Sequence, residues 1–330
     1  MRVVAALGGN ALLRRGEAMD AATQRANARR AAEALAPLIL QHEVIITHGN
    51  GPQIGLLALQ SASDETVAPY PLDVLGAESE GMIGYLLEQE LRNVLPTSRI
   101  ATLLSLAMVR EDDPAFAAPT KFVGHQYVEA EARRLAVQHG WQVAQDGAGW
   151  RRVVASPAPK SLLGIDAVRT LVDAQFVVIC MGGGGIPVAR SATGLLVGAE
   201  AVIDKDRASA LLADQLQADC LLMLTDVPGV FLDWGTADAC LVLEVRPEQL
   251  ADYSFPAGSM GPKVESAIHF ARGGKRQAFI GALEDASMIL KGMAGTTVSS
   301  AAGDLTCRRI PDGNVAVLTS DSLVSRSDDQ

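Results

Sequence analysis

A three-layer α/β/α sandwich with a mostly parallel central sheet is what this 330-residue sequence predicts, and three observations carry the prediction. Strand-like apolar runs alternate with helix-like segments through most of the chain, the pattern of a parallel sheet covered on both faces. Three of those runs end abruptly in glycine: residues 3–7 run into Gly8, Gly9 and Asn10, residues 44–47 into His48, Gly49, Asn50 and Gly51, and residues 176–181 into four glycines at 182–185. Between about residues 112 and 159 the texture changes, with Pro114, Pro119, Pro157 and Pro159 bracketing a short helical stretch. An insertion of that size bounded by prolines reads as a small protruding lid subdomain.

Taken in order, strands are expected at 2–7, 43–47, 99–105, 176–181, 220–225 and 277–280. An Ala/Arg-rich helix fills 20–41. A second helix begins at Pro52, since proline is tolerated in a first turn, and a third spans 77–93. Inside the insertion, a helix over 129–139 is stopped by Gly140 as a C-cap, and Trp141, Trp150, Val153 and Val154 suggest a hairpin. A strand-like piece at 201–203 leads into a helix over 207–216. Another helix follows 258–263, its buried stripe marked by Val264, Ala267, Ile268 and Ala271 and its end by Gly273. The main domain is expected to close near Val298, leaving 299–330 as a Ser/Asp-rich peripheral tail with one strand-like piece at 315–318.

Composition narrows the function classes. With 48% apolar and 20% charged residues the chain can build a sizeable core. A net charge of −10 without a Lys/Arg stripe argues against nucleic acid as a partner, though a few lysines can still dominate a cleft that takes a small anion. Cys180, Cys220, Cys240 and Cys307 are widely spaced and three lie in apolar runs, so all four are expected as buried thiols of a reducing cytoplasm. No apolar stretch reaches the roughly 18 residues of a membrane span. The glycines and asparagine at 8–10 and the arginines at 14–15 make the first apolar run a strand rather than a signal peptide.

The glycine clusters lead to the chemistry. Glycine lets backbone approach a ligand closely, and N–H groups there, backed by a helix start, favour an anion. The clusters match neither the G-x-G-x-x-G turn nor the G-x-x-x-x-G-K-[ST] loop, and each alone reads equally well as turn chemistry. Lysines add to them. Lys205 lies between Asp204 and Asp206 at a helix start, which in isolation reads as a capped turn. Lys263, after Gly258, Ser259, Met260, Gly261 and Pro262, sits at the mouth of a second helix. Two lysines at two helix starts beside glycine loops are what phosphoryl transfer needs, because its catalysis is mostly positioning and charge stabilisation. His48 reads as an orienting hydrogen-bonder or a packed residue. His42, His139 and His269 have no metal-ligand spacing, so no protein metal site is expected. No G-x-S-x-G elbow supports hydrolysis.

The segments ALGGNAL (5–11), THGNGPQIG (47–55), PLDVLGAESEGMIGYLL (71–87), GGGGIPV (182–188), AVIDKD (201–206), LTDVPGV (224–230) and GSMGPKVE (258–265) resemble, in order, those of carbamate kinase, a family of the amino-acid kinase fold. The resemblance implies that Gly8, Gly9, Asn10, Gly49, Asn50 and Gly51 bind the carbamate or phosphoryl oxygens, with Gly183 and Gly184 shaping the carbamate pocket. It implies that Lys205 and Lys263 straddle the transferred phosphoryl and that Asp206 holds them in place rather than acting as a base. Asp226, Met260, Gly261 and Lys263 fall on the nucleotide side, and Mg²⁺ would bridge phosphates through their oxygens and water. Within 112–127, Lys121 matches the lysine that the family's protruding subdomain brings to the carbamate. The family's text there runs close to PTKPIGP, whereas this chain has Phe122, Val123, Gly124, His125 and Gln126 after Lys121. Losing those prolines is expected to loosen or reshape the loop. The implied activity is ATP + carbamate ⇌ ADP + carbamoyl phosphate, run towards ATP in arginine catabolism by a cytoplasmic homodimer whose apolar helices at 54–60 and 77–91 could supply the interface. A related small-acid kinase and a non-catalytic nucleotide-binding paralogue are the alternatives.

Overall fold

Strands Gln277–Ala282, Cys220–Thr225, Arg2–Leu7, Glu43–His48, Phe176–Ile179 and Arg99–Thr102 lie side by side in that order and run parallel. The computed structural model describes residues 1–14, 16–63, 66–256, 258–272 and 274–309. Beyond Gln277–Ala282 the sheet continues through Thr296–Ser299, which pairs antiparallel, then Cys240–Val245 and Phe231–Leu232. Because side chains alternate across a strand, the sheet has two distinct buried faces. Val4, Ala6, Ile45 and Val178 point to one, against Ala208 and Leu212 of helix Lys205–Gln215 and Val264 and Phe270 of helix Met260–Ala271. Val3, Ala5, Leu7, Val44 and Ile46 point to the other, against Ala31 and Leu35 of helix Ala21–Ile39 and Ile83 and Leu87 of helix Leu72–Val94. Burying one such Ile or Leu contributes roughly 1.5–3 kcal/mol, so these two faces fix the strand register. The three glycine clusters therefore emerge side by side, at the carboxyl ends of the adjacent strands Arg2–Leu7, Glu43–His48 and Phe176–Ile179.

A four-stranded sheet, ordered Leu196–Gly198, Ile186–Arg190, Leu106–Met108 and Ser161–Leu163, lies beside the main one. The expected strand 99–105 is split between the two. After Thr102, Leu103 donates a last hydrogen bond to Ile179 O, and from Leu106 the chain pairs instead with Ile186–Arg190. The piece expected at 201–203 is not a strand: Ala201 makes only an isolated bridge to Ala155.

Within the insertion, Lys121–Tyr127, Gly149–Val154 and Gln142–Asp146 form a separate antiparallel sheet. Helix Glu129–His139 ends at Gly140 in the left-handed conformation, φ 67°, as the sequence predicts. The segment from Lys121 to Tyr127 is not a loosened loop. Residues standing where the related text has prolines retain their N–H groups, and the segment pairs as a strand with Gly149–Val154, irregular only between Val123 and Tyr127. It lies on helix Gly51–Ser61, where Val123 and Val154 pack with Ile54 and Ala58. The backbones meet at two glycines: a Cβ on Gly55 would stand 1.9 Å from Gly124 Cα, and Gly124 itself has φ +75°.

The cysteine expectation is half overturned. Cys180 and Cys220 are free and buried, but Cys240 and Cys307 form a disulfide across 67 residues. Antiparallel pairing of Thr306–Arg309 with Cys240–Val245 brings their Cα atoms to 5.8 Å, a normal bridging distance. The segment expected as a peripheral tail thus contributes an edge strand to the main sheet. The strand-like piece at 315–318 and the helix stop at Gly273 lie outside the described residues.

Gly55→Ala is expected to destabilise the packing of the inserted sheet by about 1–3 kcal/mol, the range for overpacking a tight contact. The readout is limited proteolysis: cleavage should appear within 112–159 while circular dichroism shows the central sheet intact, and an unchanged digestion pattern would contradict the role of this contact.

Candidate active site

The glycine clusters are less bare than their composition suggests. Gly8 N–H donates to Leu224 O at 2.8 Å and Gly49 N–H to Leu7 O at 3.0 Å, so both are committed to holding neighbouring strand ends together. Gly184 and Gly185 donate back to Met181 O and Gly182 O, each at 3.0 Å, which makes 182–185 a tight knot of backbone. Gly183, at φ +65°, rests on Asn50: a Cβ there would lie 2.1 Å from Asn50 Nδ2. Asn50 in turn donates to Ser79 Oγ at 2.8 Å, and it opens helix Gly51–Ser61 without a side-chain cap. The first-turn amides of such a helix start lack intrahelical partners and suit an anion. Gly9 and Asn10 open the short helix Gly9–Leu12, and the Asn10 side chain lies outside what is described.

Helix Lys205–Gln215 begins two residues earlier than the spacing predicted, because Asp204 is its cap, accepting from Asp206 N at 2.9 Å and Arg207 N at 3.3 Å. Lys205 and Asp206 therefore fall in the first turn, buried at the end of the sheet. Asp206 accepts from Lys205 Nζ at 2.5 Å through one oxygen and from Lys263 Nζ at 3.1 Å through the other. Lys263 reaches it from the first turn of helix Met260–Ala271. Lys121, from the inserted sheet, pairs with Asp204 Oδ2 at 2.6 Å. Three lysines from three separate parts of the chain thus meet on two adjacent carboxylates.

The electrostatics follow from burial. Desolvation opposes the Asp206 charge, but the two lysines outweigh it and hold the carboxyl far below its ordinary range. Desolvation likewise works against both ammonium groups, with opposite results: it lowers the pKa of Lys205, while the charge of Asp206 overcomes it at Lys263 and raises that one. Asp204 and Asp226 add to the pull at Lys263, whereas the charge of Lys263 adds to the lowering at Lys205. Burial opposes the charge of Asp204 too, and Lys121 outweighs it, so that carboxyl also stays low.

His48, under the site, is fully buried and its imidazole is pushed down to about 4 by desolvation. Its Nδ1 faces Gly49 O at 3.3 Å, and the ring packs on the glycine knot, 2.5 Å from where a Gly182 Cβ would stand. Asp226 follows strand Cys220–Thr225 and accepts from Thr225 Oγ1 at 3.1 Å. Met260 and Gly261 open the Lys263 helix, where Gly261 N–H donates to Pro256 O at 2.9 Å and a Cβ would crowd that same oxygen. The sequence reading missed Asp204, whose place one residue before a helix is a cap signature. It also missed Ser79 and Glu80, which carry no local signal.

Residues 1–282 match the amino acid kinase family. A carbamate kinase of Rhizobium meliloti strain 1021 is 52% identical over 93% of this chain and 95% of its own length. One from Haemophilus influenzae is 51% identical over 91% and 97%. Among solved structures, carbamate kinase from Giardia lamblia bound to citric acid superposes with a TM-score of 0.84 at 38% identity, covering 90% of this chain and 98% of that one. The chain belongs to the amino acid kinase family, and within it to the carbamate kinases.

Proposed function

We propose that the chain catalyses reversible phosphoryl transfer between carbamoyl phosphate and ADP, giving carbamate and ATP. The observation that carries this is the Asp206 carboxylate holding Lys205 and Lys263 together at the first turns of two helices. In the direction of ATP synthesis, a terminal oxygen of ADP forms the new P–O bond as the P–O bond to carbamate breaks, and carbamate leaves as an anion. Neither nucleophile nor leaving group exchanges a proton, so no general base is required. What the transition state needs is positive charge around the three equatorial oxygens. Lys205 and Lys263 supply it, and Asp206 keeps their ammonium groups a short distance apart before the phosphoryl arrives.

The site residues divide along the sheet. Gly9, Asn10, Asn50 and Gly51 are assigned to carbamate and phosphoryl oxygens, Gly8 and Gly49, whose N–H groups bond strand carbonyls, to close approach of backbone beside them, and Gly183 and Gly184 to the wall of the carbamate pocket. Asp226, Met260 and Gly261 are assigned to the nucleotide side with Lys263. Lys121 approaches from the inserted sheet, which acts as the lid of the main domain. Asp204 and Asp206 are already engaged by lysines and by helix amides. That donor set does not fit a metal held by the protein. Mg²⁺ fits as a cation carried on the nucleotide phosphates through their oxygens and water, where it would neutralise phosphate charge.

Two further assignments accompany this reading. Tyr85 of helix Leu72–Val94 and nearby Leu104 are large apolar side chains left exposed, which supports a homodimer through that face. No helix of the described residues is long and apolar enough to cross a membrane. A cytoplasmic place suits a nucleotide-dependent enzyme of arginine catabolism, and the Cys240–Cys307 bridge withdraws the support that the cysteines lent it.

A coupled assay for ATP from ADP and carbamoyl phosphate with Mg²⁺ should register turnover, and its absence in the folded protein would reject the assignment. Lys205→Ala and Lys263→Ala should each lower kcat by about 10²–10³-fold, the scale for removing one preorganised charge donor, with unchanged circular dichroism. Asp206→Asn should destabilise the protein by about 3–5 kcal/mol in urea unfolding, because it leaves two buried ammonium groups unpaired. In the native chain the Asp206 pKa is depressed, so its contribution is complete above the ordinary value of 3.8 and is lost as pH falls below it. Asp206→Asn should erase that acid limb. Light scattering should return twice the chain mass, and a monomer at working concentration would exclude the dimer.

A further inference from the structure

The segment 71–87 belongs to the resemblance, yet the site described above uses only Ser79 from it, as the partner of Asn50. Its centre is Glu80, on helix Leu72–Val94, and only 1% of its surface is exposed. Glu80 Oε1 accepts from Gly182 N–H at 2.8 Å and Oε2 accepts from Ser105 N–H at 3.2 Å. Ser105 Oγ accepts from Met181 N–H at 2.9 Å. Two consecutive amides at the start of the glycine knot, those of Met181 and Gly182, are therefore held by Glu80 and by the residue Glu80 holds. The contact leaves no slack: a Cβ on Gly182 would lie 2.8 Å from Glu80 Cγ and 2.4 Å from His48 Cε1.

We propose that Glu80 is a positioning residue for the 182–185 knot, gripping it when ionised and loosening it when protonated, and so setting the shape of the pocket wall with pH. Ionised, the carboxyl accepts at full strength from an N–H at each oxygen. Protonated, it keeps acceptor capacity, but its hydroxyl oxygen is the weaker acceptor and the added hydrogen needs a partner of its own. Burial nevertheless favours the neutral form. It pushes the Glu80 carboxyl up to about 7, although the amides of Ser105 and Gly182 pull it down. The titratable groups facing it from neighbouring elements leave it uncompensated. His48, from strand Glu43–His48, is neutral because burial drives its imidazole to about 4. Cys180, after strand Phe176–Ile179, is a thiol that burial and the charge of Glu80 keep protonated. Lys205, from helix Lys205–Gln215, bears on His48. No lysine or arginine is among the groups whose charge or hydrogen bonds shift Glu80.

The sign of the effect differs between stability and function. The folded-state pKa lies above the ordinary value of 4.5, so ionisation of Glu80 withdraws stability as pH rises from there to about 7 and leaves it lower above that. The same ionisation completes the grip on the knot. Glu80→Gln keeps the shape and fixes an amide in place of the neutral acid at every pH.

The test is hydrogen exchange of the peptide amides at 181–185, corrected for intrinsic rates, from pH 5.5 to 8.5. Protection in the native protein should rise through neutral pH, and in Glu80→Gln it should stay low and flat. The thermal midpoint of the native chain should fall relative to Glu80→Gln over the same range. The proposal rests on the kinase reading only for its kinetic arm. There kcat/KM for carbamoyl phosphate should gain a limb near pH 7 that Glu80→Gln lacks, with about a 10- to 100-fold deficit at pH 8, the worth of one charge-assisted hydrogen bond. Protection in the native chain with no step near neutral pH would overturn the proposal even if the variant failed to fold, as would a step that persists in Glu80→Gln. A native chain without turnover would instead reject the kinase reading and leave the exchange experiment to decide on Glu80.

Discussion

The shared carboxylate of Asp206 is where the sheet, two helix starts and the charge of the site meet. Two ammonium groups in a buried first turn repel each other and resent the loss of water, and the pair is tolerable only with an anion between them. Asp206 is that anion, and its position is not free to drift. Asp204 caps the same helix through Asp206 N and Arg207 N, and Ser209 one turn later ties Lys205 O to Thr47 at the end of strand Glu43–His48. The lysines are thus aligned to the sheet before any substrate is considered. On the proposed function a phosphoryl group is the second anion that such a cluster accommodates, so preorganisation and catalysis would be the same arrangement seen twice.

The parallel order of the strands turns that local arrangement into a site. Arg2–Leu7, Glu43–His48 and Phe176–Ile179 are neighbours, so their three glycine-rich ends must abut, and side chains there would collide. Gly183 against Asn50, Gly182 against His48 and Gly49 against the backbone of Gly9 are such contacts. Absence of side chains serves two ends at once. It lets the strand ends close on each other, and it keeps the ligand side of the loops open at the first turn of helix Gly51–Ser61. The N–H groups of Gly8 and Gly49 serve the first purpose, through bonds to Leu224 O and Leu7 O.

Local signals in the sequence reached the elements and stopped at the pairings. The Gly140 cap, the 129–139 helix and the glycine strand ends were readable because each is set by residues within one turn or one strand. Lys205 and Lys263 could be suspected jointly because both sit at helix starts, but that they share Asp206 is a consequence of how two helices pack 57 residues apart. The break after Thr102 was hidden since an apolar run does not say which sheet it enters. The Cys240–Cys307 bridge depends on the register of an edge strand. The meeting of Gly55 and Gly124 is a backbone-to-backbone contact, visible only once the inserted sheet is laid on the helix.

Lys121 and Glu80 show how such a site can be both fixed and responsive. Lys121 is paired to Asp204, but its side chain is 33% exposed whereas that of Asp204 is 12% exposed, so the lysine is the partner that can leave. An anion arriving between them would compete for the ammonium, and Asp204 would keep its two helix amides in compensation. Exchange of partners at a half-wet ion pair is cheap, because water and counter-charge screen the intermediate arrangements. Glu80 has no such freedom: it is buried, held by the backbone of Gly182 and by Ser105, and its one variable is a proton. On the proposed reading the lid lysine answers to substrate and the buried carboxyl to pH.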